Sequence, residues 1–341
     1  MAGKTKKTKL KLLYIKDYLY KYSDENNPVS ADELSDMLLE KEIECERKSI
    51  YSDVQALRDY GSDIFRVRAP KNGYYIGERT FELPEIRLMA DAVQAAKFIT
   101  PKKSKELITK ISTLCSVGQA EDISNQVYID SSVKCTNEDI YYNIDDINTA
   151  IKNKKKISFI YKRRKVNEKA DGIVSSQKTL TMSPYAMIWS DDHYYLVGNN
   201  SKYDNLMHVR IDRMKNVKIL DEDIRSFTEV SDYKNAFDAA DYSSKLFNMF
   251  SGEIQEMELY CENSIIEEIL DRFGSAAKVR RTDNEEHFKV LVKAVVSEGL
   301  ASWVMQYGNK IEIKSPLILR NMVKDKAEEI AALYKNDIFK A

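Results

Sequence analysis

The sequence predicts a multidomain α+β protein whose modules follow one another along the chain. Three observations predict it. At 341 residues the chain is longer than one hydrophobic core usually serves. The apolar spacing is helical through most of the first 147 residues and becomes strand-like from about 148. Charge is also uneven: residues 1–80 hold 15 basic and 14 acidic side chains, residues 148–225 hold 16 and 9, and the whole chain is −1. These shifts divide the chain into a winged helix-turn-helix module (1–80), a helical connector (81–147), a small β-barrel (148–225), a linker helix (226–250) and a C-terminal ferredoxin-like α+β domain (251–341).

The first module reads as three helices and a hairpin. Leu10, Leu12, Leu13, Ile15, Tyr18 and Leu19 predict a helix over about 9–22. Asn27-Pro28 breaks it, and Ser30 with Glu33 forms a capping box for a second helix, about 31–40, striped by Leu34, Met37 and Leu38. A third helix, about 46–60, turns Ile50, Val54 and Leu57 inward and ends at Gly61. Ile64 to Arg68 and Tyr74 to Ile76 are strands around a Pro70-Lys71-Asn72-Gly73 turn.

The connector is helical, starting near Pro84 and interrupted by Pro101. A short helix with Ile147 and Ile151 then leads into strands at 157–161, 179–182, 185–189, 193–198, 206–211 and 216–219, with turns at Asp191-Asp192 and Asn199-Asn200. Short strands with few helices predict a barrel. The last segment reads strand 254–260, helix 263–273, strands 276–281 and 286–294, helix 297–306 and strand 310–313, then a helix over about 317–335. That βαββαβ order is the split two-layer arrangement.

Composition narrows the function classes. The chain is 43% hydrophobic and 31% charged with 6 Pro, as expected of an ordered globular protein. It has no apolar run near the roughly 20 residues of a membrane span, and its lysine-rich start lacks the apolar stretch of a signal peptide. Cys45, Cys115, Cys135 and Cys261 are far apart, and His193, His208 and His287 form no ligand cluster. The expectation is a reducing cytoplasm, no disulfide, no metal and no cofactor. GxxxxGK, HExxH and GxSxG motifs are absent, and acids such as Asp145-Asp146 are neighbours rather than partners across a cleft, so no enzyme activity and no catalytic residue is expected.

Binding chemistry is better represented. A short helix opening with Arg47, Lys48, Ser49, Tyr51 and Ser52 can enter a DNA major groove, with Arg66, Arg68 and Lys71 of the hairpin at the backbone or minor groove. Lys4, Lys6, Lys7, Lys9 and Lys11 would form a mobile cationic arm. Winged helices also mediate protein contacts, and lysine-rich starts also serve solubility. Residues 29–76 resemble the N-terminal domain of DeoR-like bacterial regulators through Ala31-Asp32-Glu33-Leu34, Lys48 to Val54, Leu57, Gly61 and Asn72 to Ile76. The resemblance implies that the third helix is the recognition helix, although Ser52 stands near a position usually held by arginine.

The middle module resembles a WYL domain, an Sm-like barrel, through Ile157 to Tyr161, Ser183-Pro184-Tyr185, Tyr194 to Gly198 and Val209 to Met214. Tyr194 stands where the family's tryptophan is usual. Residues 152–165 contain eight basic side chains and no acid, and alternation sets His208 and Arg210 on one face of their strand with Met207, Val209 and Ile211 on the other. The resemblance implies a ligand sensor, and the candidate contacts are Tyr161, Lys162, Arg163, Arg164, Tyr195, His208, Arg210 and Arg213. Arg or His beside Tyr rings suits phosphate and bases. In the alternative structural readings Tyr195 packs in the core, Arg213 pairs with Asp212, and the lysine run is solvated surface. The last module resembles the C-terminal extension found behind WYL domains, through Arg272-Phe273-Gly274, Trp303-Val304, Ile311 to Ile313 and Ser315-Pro316. There Trp303 is either core or an anchor on a partner subunit.

Together these readings predict a cytoplasmic, homodimeric transcription regulator that binds double-stranded DNA and answers to a nucleic-acid or nucleotide effector at the WYL domain, with no membrane partner. Two alternatives remain at this level: a single-strand-binding accessory protein without promoter-specific regulation, and a protein-interaction scaffold.

Overall fold

Helical residues with a lysine-rich start, then alternating residues, sort into two compact units, Met1–Thr136 and Asn137–Ala341. The computed structural model describes residues 2–69, 71–126, 134–167, 172–231, 238–247 and 249–335. Pro70 of the expected turn, residues 127–133 of the connector, 168–171 of the barrel, 232–237 and 248 of the expected linker helix, and 336–341 of the last domain lie outside the described residues.

In the first unit, α1 (Ala2–Tyr22) begins earlier than its apolar stripe indicates, so the lysine-rich start is helical rather than an arm. Lys11 is buried and bridges Asp53 at 2.5 Å, which removes it from any cationic tail. The capping box forms as its sequence demands: Ser30 Oγ accepts from the Glu33 amide at 3.2 Å, and Glu33 accepts from the Ser30 amide at 2.8 Å. It starts α2 (Ala31–Glu40). The helix α3 (Arg47–Asp59) buries Ile50, Val54 and Leu57 and stops at Gly61, whose φ of 104° suits a residue without a side chain. The hairpin of β1 (Ile64–Val67) and β2 (Gly73–Ile76) follows. Ile15, Leu19, Leu34, Leu38, Ile50 and Ile64 share one core. Beyond it, α4 (Leu83–Ala95), α5 (Pro101–Ser112) and α6 (Val117–Gln126) enclose a smaller one around Ile86, Ala90 and Ile108.

The second unit opens with α7 (Ile140–Lys152) and a five-stranded antiparallel sheet: β3 (Lys155–Val166), β4 (Ile173–Ser190), β5 (His193–Asn199), β6 (Met207–Arg210) and β7 (Met214–Asp223), in the order β6-β5-β4-β3-β7. The Asn137 and Asn143 amides donate to the Met214 carbonyl at 2.8 and 3.0 Å, pinning the start of this unit to β7. Asp191 and Asp192, at φ 48° and 59°, make the tight turn their residue type favours. The expected strands 179–182 and 185–189 are one strand: β4 pairs with β3 through Met182 and with β5 from Ser183, and Pro184 sits at the change of partner. The 226–250 linker is not one helix. Among the described residues it holds a 3₁₀ turn, Phe227–Glu229, and α8 (Ala239–Lys245).

The rest is β8 (Glu253–Glu262), α9 (Ile266–Phe273), β9 (Lys278–Arg281), β10 (His287–Val296), α10 (Glu298–Met305), β11 (Ile311–Ser315) and α11 (Leu317–Lys335). Its antiparallel sheet has the order β11-β8-β10-β9. Met257, Leu259, Val290 and Val292 pack with Ile269, Leu300 and Val304 of the helices. Trp303 packs against Phe247 and Phe273 at ring distances of 5.3 and 5.4 Å, which is the core role of its two readings.

Candidate nucleic-acid interface

The first unit offers one polar helix face. Apolar spacing buries Ile50, Val54 and Leu57, so 3.6-residue periodicity turns Arg47, Lys48, Tyr51 and Ser52 outward, and all four are exposed. Ser49 behaves differently. Half-buried, it accepts a hydrogen bond from Lys11 Nζ at 2.5 Å and belongs to the α1–α3 packing. The hairpin carries Arg66 and Arg68, both exposed, and Arg66 lies 5.7 Å from the Tyr51 ring. Lys71 contacts Glu33 and Arg47 reaches Asp32 at 3.4 Å, so carboxylates of α2 partly offset two of the cations. Contact with Lys71, together with the Ser30 hydrogen bonds, holds the Glu33 carboxyl below its ordinary range against the opposing effect of burial. Gln55 shares this outward face and escaped the sequence reading, which took only the opening residues of the helix; periodicity alone would have found it.

In the second unit the lysine run divides. Lys155 is taken up by Asp221 and Asp223 at 3.1 and 3.0 Å, and Lys156 by Glu222 at 2.9 Å, so the acidic end of β7 neutralises that part. From Lys162 onward the cations stand on a two-stranded ribbon where β3 and β4 continue past the body of the sheet. Register sorts its faces. Tyr161, Arg163 and Lys165 share one face with Lys178 and Ser176, while Lys162 and Arg164 share the other with Gln177 and Ser175. Arg163 lies 5.7 Å from the Tyr161 ring. Lys178 was missed because its role depends on pairing opposite Tyr161, which composition does not reveal.

That first face leads to a Tyr-Arg cluster. Arg210 is cross-strand from Tyr195 and lies within electrostatic reach of Tyr161 as well. Its guanidinium donates through Nε and Nη2 to the two Asp212 oxygens at 3.0 and 2.7 Å. Burial would lower the Arg210 pKa, and the Asp212 pair more than compensates, raising it. Asp212 therefore belongs to Arg210, not to Arg213; Arg213 is exposed and forms no ion pair among the described residues. Burial pushes the Tyr195 hydroxyl up, in line with a ring partly packed on the apolar core around Ile188 and Val197.

His208 leaves the group. Alternation does place it beside Arg210, but residues distant in sequence cover it. Tyr242 Oη lies 3.0 Å from its Nε2 and Ser251 Oγ lies 3.2 Å from its Nδ1. Ser251 gives its proton to the Leu206 carbonyl at 3.0 Å, so Nδ1 donates to Ser251 and Nε2 accepts from Tyr242. Burial pulls the His208 pKa down to about 4, and the neutral ring is a packing element rather than a cation. The structure thus brings together Tyr161, Arg163, Tyr195, Arg210 and Arg213, and sets apart His208.

Residues 142–219, from α7 to β7, match the WYL domain family, and residues 256–331, from β8 into α11, match the WCX domain family. No curated protein matches the sequence. Among solved structures, proteasome accessory factor B/C (PafBC) of Arthrobacter aurescens is 15% identical over 98% of this chain and 49% of its own, with a TM-score of 0.25. The chain thus spans about half the length of that protein. A CRISPR Cas-related protein is 14% identical over 75% of this chain and 72% of its own, with a TM-score of 0.37. Similarity at this level leaves function to the chain's own residues. By its matches, the second unit carries a WYL domain followed by a WCX domain.

Proposed function

We propose that this chain is a homodimeric, DNA-binding transcription regulator in which the first unit is a winged helix-turn-helix, the WYL domain is an Sm-like barrel that senses a nucleic-acid or nucleotide-like anion, and the WCX domain is ferredoxin-like. It performs no catalysis in this reading. The observation that carries it is the exposed row Arg47, Lys48, Tyr51 and Ser52 on α3, braced by Arg66 of the hairpin. The row has the length and chemistry of a helix that enters a major groove, and the N-terminal end of α3 adds its own positive field for phosphate. The anion-sensing half is supported by the ribbon cations and by Arg213 beside the Tyr161–Arg210–Tyr195 cluster.

Duplexes selected from a random library should bind the wild-type chain with a steep salt dependence, about 0.9 log units of affinity per log unit of salt for each phosphate neutralised. Single-stranded oligonucleotides should then shift that affinity. A chain that binds single strands but selects no duplex sequence would instead be an accessory protein, the reading its basic ribbon also favours. Failure to bind either class would overturn the proposal.

A further inference from the structure

Alternation along β10 sends Phe288, Val290, Val292 and Ala294 toward the helices and leaves His287, Lys289, Leu291 and Lys293 on the opposite face of the sheet. Cross-strand register puts Tyr260 and Arg280 on that face beside Lys289, and Lys278 beside Leu291. Toward one end, the Tyr260 and His287 rings stack at 4.7 Å and 13° on the two central strands, with Lys314 Nζ 5.0 Å from the Tyr260 centroid. At the other end, α8 borders the sheet and closes a cavity of about 430 Å³.

The cavity is cationic. Lys245, Arg272, Lys278, Arg280 and Lys293 line it against two carboxylates, Asp241 and Glu256. Lys245 is occupied by Asp241 at 2.5 Å, but Lys278, Arg280 and Lys293 form no ion pair among the described residues. Arg272 lies 3.9 Å from the Phe247 ring centroid, contacts the Leu246 carbonyl, and keeps a buried Nε without a hydrogen-bond partner among the described residues. The remaining acids of the face are largely countered: Glu258 by Lys289 at 3.0 Å, and Glu312 by Lys314 and Arg320 at 2.6 and 2.9 Å. Glu262 is the exception, with no ion pair among the described residues.

We propose that this free face of the C-terminal sheet is a platform for single-stranded nucleic acid, with phosphates drawn to the cavity and a base received by the Tyr260–His287 pair. From His287 to Lys293 the strand covers about 20 Å, room for a few nucleotides. The charge is complementary to a phosphodiester chain, and the stacked rings select unpaired bases over a duplex, whose bases are already covered. This placement rests on the reading that the second unit meets nucleic acid, but it uses none of the ribbon or Tyr161–Arg210 residues.

The test is anisotropy of a fluorescent oligothymidylate of about 12 nucleotides on the full chain at several salt concentrations, with photo-crosslinks mapped by mass spectrometry. The combined change Arg280→Ala with Lys293→Ala should weaken binding about tenfold and flatten the salt slope by about 0.7 per lost phosphate contact. Crosslinks should fall on Tyr260 or His287 in the wild type and diminish in Tyr260→Leu. Arg163→Ala with Arg164→Ala serves as the comparison. If only the ribbon variant weakens binding and crosslinks map to residues 161–178, the platform is overturned while the functional reading stands. If oligothymidylate does not bind the wild type at all, the platform is overturned, and the functional reading falls with it only if duplexes also fail to bind. A shift in oligomeric state caused by the Arg280 and Lys293 changes would make the face a contact between two copies, and overturn the proposal.

Discussion

At the residue scale, two neighbours on one strand have opposite electrostatic fates. His208 is neutral because burial depresses its pKa to about 4, against an unfolded value near 6.5. Between those values the unfolded chain binds the extra proton, so stability is lost as pH falls from about 6.5 toward 4. The penalty is on the order of 3 kcal/mol when complete. Urea unfolding of His208→Gln across this range should show a smaller acid loss than the wild type. Arg210 is held bidentately by Asp212, whose side chain is only 10% exposed. Arg210→Ala leaves that carboxylate without its main partner and should cost about 3 kcal/mol in the same assay, with Arg210→Lys falling between. Alternation alone paired His208 with Arg210 correctly on one face. It could not show that Tyr242 and Ser251 cover the first, nor that Asp212 turns to Arg210 rather than Arg213.

At the element scale, α3 and the β3–β4 ribbon carry separate expectations. Lys48→Ala removes an exposed cation from a helix whose buried stripe it does not touch. Duplex affinity should fall several-fold and the salt slope by about one phosphate's share, with thermal stability unchanged. On the ribbon, charge reversal by Arg163→Glu with Arg164→Glu should blunt the shift in duplex affinity that single strands cause, while leaving binding of the duplex alone near the wild-type value. The helices of the first unit were legible because a capping box, a glycine stop and regular apolar spacing are local signals. The ribbon was not, since Lys162 to Lys165 and Val174 to Lys178 have no apolar face, and their strand conformation comes from pairing with each other. The expected linker helix failed for the complementary reason: Tyr242, Leu246 and Met249 are apolar at helical spacing, yet they are buried against Ile188, Val197 and Leu206, and the helix stops at Lys245.

At the scale of the whole molecule, division into two units has a spectroscopic signature. Both tryptophans, Trp189 and Trp303, lie in the second unit, whereas the first is mostly helix. Tryptophan emission should therefore follow the second unit alone in denaturant, and the far-ultraviolet helix signal should weight the first. Non-coincident transitions are expected, and superimposable ones would mean that the units unfold as one. A short helix ahead of the strands was legible from Ile147 and Ile151, but its start at Ile140 was not, because Asn137 and Asn143 reach the Met214 carbonyl across more than 70 residues of sequence. The unbroken β4 has a mechanical corollary. One stretch of backbone forms half of the ribbon at its start and is bonded to the Tyr195 strand at its end. A ligand gripping the basic tip would therefore tug on the same rail that seats the aromatic cluster, with no slack loop between them.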